Sequence, residues 1–120
     1  MEPVITIKVL ETDEGKVPFH EWYFSLRDTT TRVRVRVRLD RLLLGNFGDV
    51  KSVGEGVSEL RLQFGAGYRI YFGRVGTTIV VLLGGGDKST QARDIEDAQE
   101  LWRKYKDEIE RYQREFAPGA

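Results

Sequence analysis

The sequence has no cysteine and a single histidine, His20, among 120 residues. Disulfides and thiolate chemistry are therefore excluded, and a transition-metal site is not expected, because such sites depend on Cys and His ligands. No apolar run approaches the roughly 18 residues of a membrane-spanning helix, and the first residues do not resemble a signal peptide. We expect a soluble cytoplasmic protein without a metal or other cofactor, whose chemistry uses arginine, lysine, tyrosine and carboxylates.

The charges balance overall but are unevenly distributed. Nineteen basic and nineteen acidic residues give a net charge of zero, so the total charge gives no argument for a nucleic-acid partner. Residues 27–41, however, contain six arginines against two aspartates, a local excess of four positive charges. This segment could be a solvated surface or a contact for RNA phosphates.

The length and the 40% hydrophobic content suit one core, so we expect a single domain over residues 1–120. Val4–Leu10 is rich in β-branched residues and predicts a strand. Val17–Leu26 has apolar residues at spacings that include three and four, which predicts a short helix after Pro18. Three later runs predict strands joined by hairpin turns: Val57–Phe64, Tyr68–Arg74 and Thr77–Leu83.

The C-terminal quarter has a helical pattern. Apolar residues recur every three or four positions from Ile95 to Phe116, which predicts an amphipathic helix. Ser89 or Thr90 could cap it.

Residues 31–39 fit two structures. Arginine alternates with valine or leucine from Arg32 to Leu39, which is typical of a strand. An apolar stripe of helical spacing continues past this alternation through Leu42 and Leu43, and Gly45 could end a helix. We predict a helix.

The predicted hairpins place polar residues on one face of the sheet. A three-residue loop at 65–67 pairs Phe64 with Tyr68 and, further along, Leu60 with Phe72. Alternate residues then point to the opposite face. They are Glu59, Arg61, Gln63, Arg69 and Tyr71.

The third strand should end near this face. A two-residue turn at Val75-Gly76 sets Arg69 beside Leu82, so a loop of residues 84–88 would leave the sheet near Arg69. Its three glycines permit close approach of a ligand, and Lys88 adds a mobile cation. The residues that converge on this basis are Arg61, Arg69, Tyr71 and Lys88.

Several motifs resemble those of HigB-like, phage-derived (Gp49-like) addiction-module killer proteins of the RelE/ParE superfamily. They are Glu59-Leu60-Arg61, Gly67-Tyr68-Arg69-Ile70-Tyr71-Phe72, and Gly85-Gly86-Asp87-Lys88-Ser89-Thr90-Gln91 followed by Asp94-Ile95. Residues 19–22, 39–42 and 45–49 are also similar to that family. The resemblance covers roughly residues 4 to 105, and residues 106–120 look like a C-terminal helical extension.

The resemblance implies an α+β, RelE-like fold. Such a fold has a small twisted, mainly antiparallel sheet of about four strands, two N-terminal helices on one face and a C-terminal helix. The RNA site would lie on the face away from the N-terminal helices. The implied activity is that of a type II toxin: a ribosome-dependent, metal-independent endoribonuclease that promotes attack of a ribose 2′-hydroxyl on the adjacent phosphate.

That chemistry needs cations at the phosphate and groups that transfer protons. Arg69 matches the arginine of the family's Gly-Tyr-Arg motif. Tyr105 and Tyr112, near the C-terminus, lie on the predicted apolar stripe, which leaves the general base open. The candidate catalytic residues are Arg69, Lys88 and Arg61, and the candidate RNA-binding residues are Tyr71, Gln63, Arg34 and Arg38.

Other interpretations stay open at this stage. Arg61 and Arg69 could be cross-strand partners of Glu59, Asp87 could cap its own loop, and His20 could be a surface residue. A ParE-like inhibitor of DNA gyrase and a non-catalytic protein-binding module are the rival functions. By resemblance, the partners are mRNA, the ribosome and a cognate antitoxin, expected to be a helix-turn-helix protein encoded next to this gene.

Overall fold

The computed structural model describes residues 2–116, which form a mixed sheet with helices on both faces. In chain order the elements are β1 (Thr6–Val9), α1 (Pro18–Ser25), α2 (Thr29–Leu43), β2 (Val50–Ser52), β3 (Val57–Arg61), β4 (Arg69–Val75), β5 (Ile79–Gly86), a 3-10 turn (Lys88–Thr90) and α3 (Gln91–Phe116). The strand order is β1-β5-β4-β3-β2, with β1 parallel to β5 and the other pairs antiparallel.

The α+β class and the mainly antiparallel sheet are confirmed. The predicted number of about four strands is too small, since the described residues contain five. β2 was not predicted, because its three residues, Val50–Ser52, are too few to establish an alternating pattern. In the described range, no helix is both long and apolar enough to cross a membrane.

Alternate strand residues are buried on opposite faces of the sheet. One face packs against α1 and α2 through Phe19, Val35 and Leu42. The other packs against α3 through Ala98, Trp102 and Tyr105. The face expected to be open is therefore covered by α3, which buries its long apolar stripe there.

The helix predicted over residues 31–39 is confirmed as the middle of α2. Val35 and Leu42 are fully buried, whereas Val33 and Val37 are 48% and 44% exposed. A strand would have buried all the valines on one face, but the helix buries one stripe. Asp28 begins the helix by accepting a hydrogen bond from the Thr30 backbone N–H at 3.0 Å.

The predicted register of the first hairpin is wrong by two residues. Leu60 lies opposite Ile70 rather than Phe72, and Arg61 lies opposite Arg69. β3 ends at Arg61, so the connection to β4 is longer than the predicted three-residue loop. A shift by two preserves which residues share a face.

The second hairpin also differs from the prediction. Arg69 lies opposite Gly86 rather than Leu82, because the connection is longer than two residues and the pairing shifts after Tyr71. The glycines predicted to form a loop belong to β5. A Cβ at Gly85 would lie 2.3 Å from the Trp22 ring, so this glycine lets α1 approach the sheet closely.

α3 begins at Gln91, directly after the two residues that were expected to cap it. Neither Ser89 nor Thr90 provides the cap; Asp87 accepts hydrogen bonds from the Ser89 backbone N–H and Oγ at 2.8 and 2.5 Å, as expected of a residue that caps its own loop. The predicted extension 106–120 is continuous with α3 as far as Phe116. Residues 117–120 lie outside the described range.

Candidate functional site

A buried carboxylate organises the centre of the α3-covered face. Glu59 on β3 is fully buried. Its Oε1 accepts a hydrogen bond from Arg61 Nε at 3.0 Å, and its Oε2 accepts from Tyr71 Oη at 3.2 Å and from Gln91 Nε2 at 2.9 Å. Arg69 Nε lies 3.5 Å from the same Oε2. We call these five residues the Glu59 cluster.

The partners of Glu59 keep it ionised. Burial alone would raise its pKa, but the hydrogen bonds from Gln91, Arg61 and Tyr71 and the charge of Arg69 outweigh burial, so that the pKa is lowered. The cluster therefore combines one carboxylate with two guanidinium groups and has a net positive charge.

Arg69 and Lys88 both lie next to the hairpin glycine Gly67. Arg69 Nη1 donates to the Gly67 carbonyl at 2.6 Å, and the backbone N–H of Lys88 donates to the Ala66 carbonyl at 3.3 Å. A Cβ at Gly67 would lie 3.2 Å from Arg69 Nη1 and 3.3 Å from Lys88 Cβ. The fold thus brings these two predicted residues together, although the Arg69 side chain is 13% exposed and Lys88 is an exposed residue.

Contrary to the prediction, Tyr71 does not lie on an open surface. It is fully buried in the core beneath α3, and its hydroxyl donates to Glu59. Burial, followed by the charge of Glu59, raises its pKa well above the ordinary value. Tyr71 is therefore not available to stack on a base in this structure.

A second, separate group of basic residues lines a cleft between α2 and the chain beyond β3. The cleft encloses about 470 Å³. Its residues are Arg34, Val37, Arg38 and Arg41 on α2, Asn46, Gly48 and Asp49 in the following loop, and residues 61–64. We call this the α2 cleft. Arg34, Arg38 and Arg41 are spaced by four and three positions, which puts them on one side of the helix.

Some of the polar groups in the α2 cleft have partners on the protein. Arg38 donates to the Asn46 carbonyl at 3.3 Å and to the Phe47 carbonyl, and so ties α2 to the loop that follows it. Its pKa is lowered, first by burial and then by Arg41. Gln63 donates to Asp49. Arg34 and Arg41 are exposed, and the Arg34 guanidinium lies 5.0 Å from the centre of the Phe64 ring.

The predicted site residues thus fall into two groups. Arg61, Arg69 and Tyr71 join the Glu59 cluster, with Lys88 beside it, whereas Arg34, Arg38 and Gln63 line the α2 cleft. Arg61 also lines the cleft, so it connects the two. His20 is exposed on α1, in agreement with a surface role.

Sequence reasoning missed the central role of Glu59, as well as Gln91 and Arg41. A signal for Glu59 was present, because β5 is apolar at consecutive positions from Ile79 to Leu83, which is typical of a strand buried on both faces. The polar residues beside it on β3 and β4 then had to be buried too. Gln91 and Arg41 lie in segments that resemble the family, but no residue pattern assigned either of them a role.

Comparison with known proteins shows a relative of this chain. An uncharacterized protein of Haemophilus influenzae is 41% identical to this chain over 97 residues, which are 81% of this chain and 94% of that protein. The chain belongs to the same family. No family model matches the chain. No solved structure matches it either.

Proposed function

We propose that the chain is the toxin of a type II toxin-antitoxin module and inhibits translation by cutting mRNA on the ribosome. The motifs that resemble HigB-like killer proteins of the RelE/ParE superfamily support this proposal, and the α+β architecture is compatible with a RelE-like fold. The structural observation that carries it is the α2 cleft, in which three arginines of one helix face the end of β3 beside the Glu59 cluster.

The α2 cleft suits the backbone of single-stranded RNA. Arg34 and Arg41 are exposed and carry charges that can pair with successive phosphates. Arg38 holds the loop that forms the opposite wall, and Gln63 adds an amide at the rim. Phe64, partly covered by Arg34, offers an aromatic surface for a base. It replaces the buried Tyr71 in this role.

The proposed reaction takes place where the RNA strand leaves the α2 cleft. The 2′-hydroxyl loses its proton and its oxygen bonds to the adjacent phosphorus, while the bond to the 5′-oxygen breaks and that oxygen gains a proton. The products are a 2′,3′-cyclic phosphate and a 5′-hydroxyl. Lys88, Arg69 and Arg61 stabilise the negative charge that develops on the phosphate oxygens.

Two of the tyrosines are poor candidates for the general base. Tyr71 is buried with a raised pKa, and Tyr105 is buried and accepts a hydrogen bond from the Asp13 backbone N–H at 3.0 Å. The proposed catalysis by this chain therefore rests on positioning and on stabilisation of the transition-state charge by cations.

Lys88→Met tests the proposal with little risk to the fold, because Lys88 is exposed. Purified protein is added to a translating extract, and the ends of a defined mRNA are mapped by primer extension. We expect discrete cuts with the wild type, many fewer with Lys88→Met, and wild-type cutting with Lys16→Met, which removes the same charge from an exposed site elsewhere. Intact mRNA at a stoichiometric amount of wild-type protein would refute the proposal.

Inhibition of DNA gyrase is the second candidate. The observation that favours it is the engagement of both Arg61 and Arg69 by Glu59, which leaves less free charge for a phosphate than an open site would. A gyrase supercoiling assay separates the two: inhibited supercoiling with intact mRNA supports this candidate, and unaffected supercoiling with cut mRNA supports the nuclease.

The proposed antitoxin gives an independent test of the module. Co-expression with the neighbouring gene should yield a complex that co-purifies and restores growth. A neighbouring product that neither binds nor protects would contradict the assignment.

A further inference from the structure

The arrangement of Arg61 and Arg69 needs an explanation. They are direct cross-strand neighbours in the β3–β4 pair. Like charges directly opposite one another on a sheet repel and destabilise it. Both side chains nevertheless turn their Nε atoms inward to the same carboxylate, at 3.0 Å for Arg61 and 3.5 Å for Arg69. Glu59 therefore allows two like charges to lie side by side.

Stability alone does not account for a carboxylate at this position. Glu59 is fully buried, and burying an ion carries a desolvation cost that its ion pairs only partly offset. Apolar residues of similar volume often serve a core as well as a buried ion pair does. Val57 and Val81 in the same core show that apolar residues can pack on this face.

The geometry of the cluster leaves part of each guanidinium for another partner. A guanidinium has five N–H groups in a fixed plane, and Glu59 faces the single Nε group of each arginine. Arg69 uses Nη1 on the Gly67 carbonyl. Arg61 is about one third exposed, at 34% of its side chain. The remaining N–H groups, on the Nη atoms, can bind another partner at the surface.

Gln91 and Tyr71 fix the carboxylate in turn. Gln91 is the first residue of α3, and Tyr71 lies on β4, so the orientation of Glu59 is set from two elements outside β3. Such a supporting shell is what holds a catalytic group in a productive geometry.

We infer that Glu59 is a positioning residue for the proposed phosphate site: it holds Arg61 by a hydrogen bond to Nε and Arg69 by the attraction of opposite charges. The other N–H groups of the two arginines are thereby directed to an RNA phosphodiester. This inference rests on the proposed nuclease function. Glu59 itself does not contact the RNA.

Glu59→Gln tests the inference, with Glu55→Gln as its matched control. Both variants remove one negative charge, but Glu55 is exposed and lies 3.8 Å from Arg103 in a surface pair. If charge alone mattered, both would bind RNA at least as tightly as the wild type and cut it as fast. We expect Glu59→Gln to lower kcat on the order of a hundredfold with KM unchanged or lower, because the arginines lose their alignment, and Glu55→Gln to behave as the wild type.

A second measurement does not depend on activity. The Nε–H group of Arg61, which donates to Glu59, should give a slowly exchanging signal in ¹⁵N NMR spectra of the wild type. This signal should be lost in Glu59→Gln but kept in Glu55→Gln, and an unchanged signal in Glu59→Gln would overturn the inference.

The outcomes separate the inference from the function on which it rests. A wild type that cuts mRNA together with an equally active, folded Glu59→Gln overturns the inference and leaves the nuclease proposal intact. A wild type that does not cut mRNA refutes the nuclease proposal, and the NMR signal then decides whether Glu59 orders Arg61. If Glu59→Gln does not fold, Gln91→Leu removes one donor from the carboxylate; a smaller fall in kcat supports the inference, and an unchanged kcat overturns it.

Discussion

Replacing Gly73 by alanine should lower the free energy of unfolding by about 1 to 3 kcal/mol, the usual cost of overpacking a core. Gly73 lies on β4 beneath α3. A Cβ there would lie 2.5 to 2.6 Å from three carbon atoms of the Trp102 ring, whereas carbon atoms in contact are about 3.5 to 4.0 Å apart. Trp102 is 1% exposed, so its ring cannot move aside unless α3 shifts away from the sheet.

Gly84→Ala is the matched control for this experiment. Gly84 also lies in the sheet, but a Cβ at this position would meet no atom within 4 Å. Alanine there should leave stability unchanged or raise it by about 0.4 to 1 kcal/mol, because it restricts the unfolded chain. Urea denaturation followed by tryptophan fluorescence measures both variants.

The double variant Gly73→Ala/Trp102→Phe tests the cause of the effect. The smaller ring gives the added methyl group room, so the two changes together should cost less than the sum of their separate costs. Equal stability of Gly73→Ala and Gly84→Ala, or additive costs in the double variant, would refute the packing of α3 on this face.

Three further predictions concern the α2 cleft and the Glu59 cluster. The double variant Arg34→Gln/Arg41→Gln should reduce the slope of log K against log salt for single-stranded RNA by about 0.7 per lost phosphate contact, whereas Arg36→Gln, on α2 outside the lining of the α2 cleft, should leave it unchanged. Tyr71→Phe should cost about 1.5 to 3 kcal/mol of unfolding free energy in urea, because a buried carboxylate loses a donor. Folding lowers the pKa of Glu59, so its carboxylate stabilises the fold fully at a pH above the pKa of an unfolded glutamate and less as the pH falls through the lower folded value. Glu59→Gln should therefore flatten the loss of stability in acid.

The elements with strong periodicity were predictable from the sequence. α3 has a long apolar stripe, and α2 could be separated from a strand by the continuation of its stripe to Leu42. Short strands and pairing registers were not predictable, because loop geometry sets them. The connections before Arg69 and before Ile79 are each longer than predicted, and the pairing of β4 with β5 shifts after Tyr71.

The sequence predicted which residues share the face of the candidate site, but not that α3 covers this face. The alternation that puts Glu59, Arg61, Arg69 and Tyr71 on one face is correct, and it follows from strand geometry alone. The assumption that this face is open was wrong, because the apolar stripe of α3 had to be buried somewhere. Which surface a distant helix covers depends on tertiary packing, and local pattern does not reveal it. The grouping of Arg34, Arg38 and Gln63 in one cleft likewise depends on the approach of α2 to the end of β3.

The chemical nature of the cut ends tests the central proposal most directly. Messenger RNA from a translating extract treated with the purified chain should carry 5′-hydroxyl ends downstream of each cut and 2′,3′-cyclic phosphates upstream, as 2′-hydroxyl attack requires. Ligation with an enzyme that joins these ends, compared with one that requires a 5′-phosphate, gives the readout. Cuts that bear 5′-phosphates, or mRNA that stays intact, would contradict the proposal.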